Sequence, residues 1–181
     1  MFANITAAVA GFIISTIGSM GYRGIVLLMA IESACIPLPS EIVMPFSGYL
    51  AFTGRLSLWG IALAGAVGCV LGSLIAYYVG LHGGRPLVER YGKYLLISRR
   101  DLDLADRWFA RHGEATIFIS RLLPVVRTFI SFPAGIARMN PVRFVLLTFA
   151  GSFVWCLGLG WIGMKLGQHW DTLGAYFHRF D

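Results

Sequence analysis

Two long stretches of this sequence carry almost no charge. Residues 57–81 contain no charged side chain, and residues 141–165 contain only Arg143 and Lys165, one near each end. Each stretch exceeds the roughly 20 apolar residues that a helix needs to cross the hydrocarbon core of a bilayer. The hydrophobic pattern therefore predicts two transmembrane helices, at 57–81 and at 141–165.

Two further apolar segments, residues 23–53 and 115–137, are interrupted by prolines. The interruptions are Pro37, Pro39 and Pro45 in the first segment and Pro124 and Pro133 in the second. A proline in a helix interior costs about 3 kcal/mol and frees backbone groups that lipid cannot satisfy. Because the pieces between the prolines are too short to span, we expect each segment to form a re-entrant hairpin that enters and leaves the membrane on one side.

The remaining residues connect or flank these segments. Residues 82–114 mix apolar positions with seven of the fifteen Lys and Arg residues, a pattern typical of an amphipathic connector on the cytoplasmic surface. Residues 1–22 have no charged side chain and are predicted to form an N-terminal helix, and residues 166–181 form a C-terminal tail. The expected fold is one all-α integral membrane domain over residues 1–181. Within this domain each hairpin and the span that follows it form one unit. The two units, with their hairpins opposed, form an inverted repeat.

The composition argues against a soluble protein. Hydrophobic residues make up 57% of the chain and charged residues 13%, against an apolar share of about 45–50% in soluble domains. The net charge is +6, and because the basic residues cluster in the connector it indicates membrane orientation rather than nucleic-acid binding. The three cysteines and four histidines show no metal-ligand spacing, so neither a metal nor a cofactor is expected.

We call the two proline-interrupted segments, 23–53 and 115–137, the broken segments. Four charged residues lie inside them: Glu32 and Glu41 in the first, Arg121 and Arg127 in the second. Unpaired in the membrane, they would together cost on the order of 10 kcal/mol. On continuous helices the two acids would point about 180° apart and the two arginines about 120° apart. A turn at the prolines between them would bring both pairs toward one cavity. The breaks and the charges therefore predict a common site near the midplane.

The chemistry of these side chains suggests their roles. Arginine keeps its charge and can bind phosphate through two parallel N–H groups, so Arg121 and Arg127 are candidate phosphate ligands. A carboxylate in a low-dielectric cavity can exchange protons with the aqueous phases, so Glu32 and Glu41 are candidate proton-coupling residues. The alternative is that the four charges form structural salt bridges that hold the hairpins together.

The first span also carries a stripe of small residues. Its members at helical spacing are Gly65, Gly68, Gly72 and Gly80. Glycines spaced in this way let another helix approach closely, so the stripe is predicted to serve helix packing.

Four short motifs, in order, resemble those of the DedA family, the bacterial relatives of the VTT-domain lipid scramblases, over roughly residues 20–165. The motifs are Glu32-x4-Pro37-Leu-Pro39-Ser-Glu41, Gly65-x2-Gly68-x3-Gly72-x4-Tyr77-x2-Gly80, Phe118-x2-Arg121-x2-Pro124-x2-Arg127 and Pro133-Ala-Gly135-x3-Met139. The resemblance implies opposed re-entrant hairpins, membrane-embedded acids matching Glu32 and Glu41, and essential arginines matching Arg121 and Arg127. Members of the family are implicated in returning undecaprenyl phosphate to the cytoplasmic leaflet and in moving phosphatidylethanolamine.

These observations lead to one functional hypothesis and its alternatives. The expected function is a multi-pass lipid transporter, or flippase, of the bacterial cytoplasmic (inner) membrane that translocates undecaprenyl phosphate, with a proton or sodium as coupling ion. Its expected partner is an anionic membrane lipid, and assembly with further copies of the chain is left open. The alternatives are a phosphatidylethanolamine scramblase, a non-transporting envelope-integrity factor and a membrane lipid phosphatase, although no nucleophile motif favours an enzyme.

Overall fold

The structure is a computed structural model, and it describes residues 2–34, 36, 38–95, 107, 115–123 and 126–168. Within these residues the regular structure is helical throughout, which confirms the prediction of an all-α fold for this part of the chain. The helices are α1 (Phe2–Met20), α2 (Tyr22–Ser33), α3 (Ser40–Phe52), α4 (Leu58–Leu95), α5 (Ala115–Arg121), α6 (Val126–Phe129), α7 (Ser131–Ile136) and α8 (Pro141–Gln168).

Two of these helices contain stretches that are long and apolar enough to cross a membrane, Leu58–Gly83 in α4 and Pro141–Gly167 in α8. Large apolar side chains remain exposed on the outward faces of both: Trp59, Leu63, Ile75, Val142, Leu146 and Trp161. Exposing this much apolar surface to water would be unfavourable, whereas lipid tails solvate it. The outward faces of α4 and α8 are therefore those of membrane-embedded helices.

Helix α4 is longer than the hydrophobic pattern predicts. It continues past residue 81 to Leu95, so the first part of the predicted connector extends the same helix. Pro86 lies within this extension, and the helix continues through that position. Most of the remaining connector, and the tail after Gln168, lie outside the described residues.

The first broken segment is interrupted where its prolines predict. Helix α2 ends at Ser33 and α3 begins at Ser40, with extended backbone at Pro39 immediately before it (φ −79°, ψ 103°). A proline at this position suits a helix start, because its missing N–H would have no partner in the first turn. Pro37 lies outside the described residues. The prediction that Pro45 also interrupts the segment is wrong, because Pro45 lies inside α3 and the helix continues through it to Phe52.

The second broken segment consists of three short helices. Helix α5 ends at Arg121, a turn follows, and α6 and α7 continue from Val126. Pro124 lies outside the described residues, whereas Pro133 does not break the chain. It is the third residue of α7, where the first turn tolerates a residue without an N–H.

Helices α4 and α8 cross in opposite directions at the centre of the protein. The ring of Tyr77 in α4 stacks on that of Phe144 in α8, with centroids 4.8 Å apart. Earlier in α4, Gly65 faces the Cys156 thiol, which lies later in α8. Later residues of α4 therefore meet earlier residues of α8, so the two helices are antiparallel.

The short helices pack on this central pair in an exchanged arrangement. Helix α2 packs on α4 and α5 on α8, whereas α3 packs on α8 and α7 on α4. The glycines allow these approaches. A Cβ on Gly68 or Gly72 would collide with backbone carbonyls of α2, and one on Gly80 would collide with the Phe132 carbonyl. Gly65 makes room for the Cys156 side chain, so all four predicted packing glycines lie against other helices.

Candidate functional site

Two fully buried arginines occupy the middle of this assembly. Arg121 is the last residue of α5 and Arg127 the second residue of α6, and both side chains are 0% exposed. Their partners Cys69 and Ser73 lie near the centre of the apolar stretch of α4. The turn between α5 and α6 thus brings the two predicted arginines together at half the depth of the spans.

Arg121 donates hydrogen bonds to groups on several helices. Its Nη2 donates to the hydroxyls of Ser73 and Ser131 at 2.7 Å each, and to Thr148 at 3.5 Å. Its Nη1 donates to the main-chain carbonyl of Arg127 at 2.9 Å. This one side chain therefore links α4, α7 and α8, and it fixes the backbone from which Arg127 projects.

Arg127 is in a different environment. Its Nη2 donates to the Cys69 sulfur at 3.3 Å and lies 3.5 Å from Oε2 of Glu32. The guanidinium lies over the ring of Trp155 in α8, 5.4 Å from its centroid. Within the described part of the chain, Nε and Nη1 of Arg127 have no hydrogen-bond partner. Two of the three guanidinium nitrogens of this fully buried side chain are therefore available to a ligand.

The two acids predicted for the site are placed differently. Glu32, near the end of α2, is 4% exposed and lies beside Arg127. Glu41, in the first turn of α3, has an exposed side chain that accepts a 3.4 Å hydrogen bond from the Ser40 hydroxyl. The first broken segment thus brings Glu32, but not Glu41, into contact with the arginines. The reason is that Glu41 begins a new helix whose inward face carries Ser40, Val43 and Met44.

Several residues of the site were not predicted from the sequence. They are the hydroxyls around Arg121 and the groups around Arg127: Ser73, Ser131, Thr148, Cys69 and Trp155. One sequence pattern could have indicated these residues: small polar side chains spaced four residues apart inside apolar helices. Cys69 and Ser73 follow this spacing on α4, as Thr148, Ser152 and Cys156 do on α8.

The cysteines, which are far apart in sequence, also meet here. Cys69 and Cys156 are buried and free, and their thiols are close enough to interact with each other. Within the described residues no group of three or more metal-binding side chains occurs. Cys35 lies outside the described residues.

Comparison with known proteins identifies the family. The profile of the VTT domain matches residues 38–165, which include α3, α4 and all the helices of the second broken segment. The chain belongs to the VTT-domain family. Membership confirms the resemblance to the DedA proteins that the sequence motifs indicated.

Relatives of this VTT-domain protein cover most of its length. It is 39% identical over 161 residues to undecaprenyl phosphate transporter A of Bacillus subtilis, covering 89% of this chain and 79% of the relative. It is 41% identical to the B. subtilis membrane protein YkoX, covering 90% of this chain and 72% of that protein. It is 37% identical to an alkaline phosphatase-like protein of Lactococcus lactis, covering 93% of this chain and 81% of the relative. No solved structure gives a significant match. The VTT-domain protein is thus a membrane protein.

Proposed function

We propose that this protein carries a phosphate-bearing lipid, undecaprenyl phosphate, across the bacterial cytoplasmic membrane, with Arg127 as the principal phosphate ligand. The observation that carries the proposal is that Nε and Nη1 of Arg127 are fully buried and have no hydrogen-bond partner in the described part of the chain. The planar, permanently charged guanidinium presents N–H donors that suit the oxygens of a phosphate. The name of the B. subtilis relative supports the choice of undecaprenyl phosphate over other phosphate lipids.

A purely structural salt bridge explains these contacts less well. A stable buried ion pair needs both partners to satisfy most of their hydrogen-bonding groups, since desolvation otherwise outweighs the attraction. Arg127 approaches Glu32 through Nη2 alone, at 3.5 Å. The remaining donors would then be left unsatisfied at a cost of about 1–3 kcal/mol each, unless a ligand or water occupies them.

The direct test uses proteoliposomes that contain only the purified protein. We expect translocation of a fluorescent polyprenyl phosphate, but slower translocation of a matching phosphatidylethanolamine. Faster movement of phosphatidylethanolamine would favour the scramblase alternative. Released inorganic phosphate would indicate the phosphatase that the name of the L. lactis relative suggests. Movement of neither lipid would contradict a transport function.

We also propose that the two broken segments are opposed re-entrant hairpins related as an inverted repeat. The N–H of Ser57 donates to the Tyr22 hydroxyl at 2.8 Å, so the first segment begins beside the point where the chain enters α4. The break between α2 and α3 lies beside Arg127, at half the depth of the spans. The exchanged packing also has the form expected of two equivalent units, with each first arm on its own span and each second arm on the other.

Cysteine accessibility is expected to reveal the first hairpin. Single cysteines at the exposed positions Arg23 and Thr53 should be labelled from the same side of the membrane, because both lie at the open end of the hairpin. A cysteine at exposed His82, near the other end of the span in α4, should be labelled from the opposite side. The native cysteines are replaced by alanine in this experiment. Labels at positions 23 and 53 on opposite sides would contradict the re-entrant arrangement.

Glu32→Gln is expected to flatten the pH dependence of lipid transport. Ionised Glu32 lies beside Arg127 and competes with a phosphate for its charge, so protonation should strengthen phosphate binding. Glutamine retains much of the hydrogen bonding but cannot titrate. The measurement is the transport rate against pH, above about pH 7 so that a phosphate monoester remains largely dianionic.

Glu41→Gln provides the matched comparison for this prediction, because Glu41 has an exposed side chain outside the arginine cluster. Its effect on the pH profile is expected to be the smaller of the two. If the Glu32 variant follows the wild-type profile, Glu32 is not the coupling residue. If only the Glu41 variant flattens the profile, coupling belongs to Glu41.

A further inference from the structure

Two more buried polar atoms near Arg127 are not used by the packing of the protein. The indole Nε1 of Trp155 and the hydroxyl of Ser152 are buried, and neither has a hydrogen-bond partner within the described residues. Native structures rarely leave buried donors unpaired, and each exception needs a cause such as a ligand or an ordered water. Both atoms belong to residues of α8.

Their positions place them on the Arg127 side of the site. The Trp155 ring lies under the Arg127 guanidinium at 5.4 Å. Ser152 precedes Trp155 by three residues and lies between Thr148 and Cys156 on the inward face of α8. Thr148 contacts Arg121, and Cys156 interacts with Cys69, which accepts from Arg127. Ser152 therefore lies between the surroundings of the two arginines.

We propose that Trp155 and Ser152 are ligand-binding residues of this site, and that the group they bind together with Arg127 is a phosphate monoester. In this arrangement, which rests on the function proposed above, the indole N–H and the serine hydroxyl donate to phosphate oxygens. The face of the indole ring meanwhile supports the guanidinium. Trp155 thus contributes both a hydrogen-bond donor and a cation–π contact.

The charges and donors favour a monoester over a diester. Arg121 and Arg127 bring two positive charges into the site, and Glu32 offsets one of them only while it is ionised. A phosphate monoester carries up to two negative charges on three free oxygens, whereas a phosphodiester carries one charge on two. Buried donors without a partner in the described part of the chain include Nε and Nη1 of Arg127, Nε1 of Trp155 and Oγ of Ser152. A dianion with three free oxygens matches both the charge and the donors.

The test compares two tryptophan variants of the full-length protein in detergent. Trp155→Phe retains an aromatic ring under Arg127 but removes the N–H donor. Trp161→Phe makes the same change at an exposed position of the same helix. Binding of farnesyl phosphate is measured by isothermal titration calorimetry. Trp155→Phe should weaken binding about tenfold or more, the usual loss for a hydrogen bond to a charged group. The Trp161 variant should bind like the wild type, and equal affinity of all three proteins would overturn the proposal.

Ser152→Ala provides a second variant in case Trp155→Phe fails to fold. It deletes one hydroxyl with little change in volume, and it is expected to weaken farnesyl phosphate binding while leaving the thermal unfolding temperature unchanged. Unaltered binding by this variant would remove Ser152 from the site. If the wild type binds farnesyl phosphate but neither variant differs from it, only this inference fails. If the wild type does not bind it at all, the proposed function fails as well.

The ligand class is tested by competition against farnesyl phosphate. A short-chain phosphatidylglycerol, a diester, should compete poorly, and competition equal to that of unlabelled farnesyl phosphate would contradict the monoester assignment. Inorganic phosphate separates recognition of the phosphate alone from recognition of the lipid. The competition gives the dissociation constant of inorganic phosphate for each variant. If Trp155→Phe raises this constant, the phosphate group itself contacts Trp155. If the dissociation constant of inorganic phosphate is unaffected by that substitution, Trp155 does not contact the phosphate group.

Discussion

Replacing Arg127 by lysine is expected to abolish most phosphate-lipid binding while leaving the protein folded. Lysine keeps the positive charge beside Glu32 but loses the planar group whose Nε and Nη1 donors would bind a phosphate. A single ammonium cannot reproduce a two-point contact, so Arg127→Lys should fail almost as badly as Arg127→Ala. The measurements are farnesyl phosphate affinity in detergent and polyprenyl phosphate translocation in proteoliposomes.

A structural salt bridge between Arg127 and Glu32 predicts a different outcome. In that case lysine would largely preserve activity, and removal of both charges in a Glu32→Gln, Arg127→Gln double variant would restore it. The reason is that most of the penalty of a broken buried pair comes from the lone charge left behind. We expect no such rescue. Full transport by Arg127→Lys would remove the phosphate-ligand role from Arg127.

Arg121→Lys is expected to lower the stability of the folded protein rather than only its affinity. The Arg121 side chain donates to Ser73, Ser131, Thr148 and the Arg127 carbonyl, so it joins the second broken segment to both spans. Lysine cannot make all of these bonds from one position. Interhelical hydrogen bonds in membranes average about 0.6 kcal/mol each, so the loss should be on the order of 2 kcal/mol. Thermal unfolding in detergent measures it.

Single hydroxyl deletions are the controls for this prediction. Ser73→Ala removes a 2.7 Å partner of Arg121, and Thr148→Val removes the 3.5 Å partner. Each should cost less stability than Arg121→Lys, and the serine change should cost more than the threonine change. If Arg121→Lys unfolds at the wild-type temperature but loses lipid binding, Arg121 is a ligand residue like Arg127. The two arginines, which the sequence motif presents as equivalent, would then share one role.

The sequence by itself determined the features that depend on local composition. The apolar runs 57–81 and 141–165 predict the spans found within α4 and α8, because crossing a bilayer requires only length and hydrophobicity. Pro39 predicts the interruption before α3, since a proline acts within one turn of its own position. The cost of charge in lipid likewise predicts that Arg121 and Arg127 are enclosed by protein.

The tertiary structure alone decided which side chains meet. Glu32 contacts Arg127 and Glu41 does not, because α3 begins between them and turns Glu41 outward. The hydroxyls of Ser73 and Thr148 surround Arg121 only because α4 and α8 are antiparallel and bring residues 75 positions apart to one level. Such pairings depend on how separate helices pack, and packing sums many weak contacts between distant parts of the chain. The sequence around a single residue therefore does not determine which distant side chains it meets.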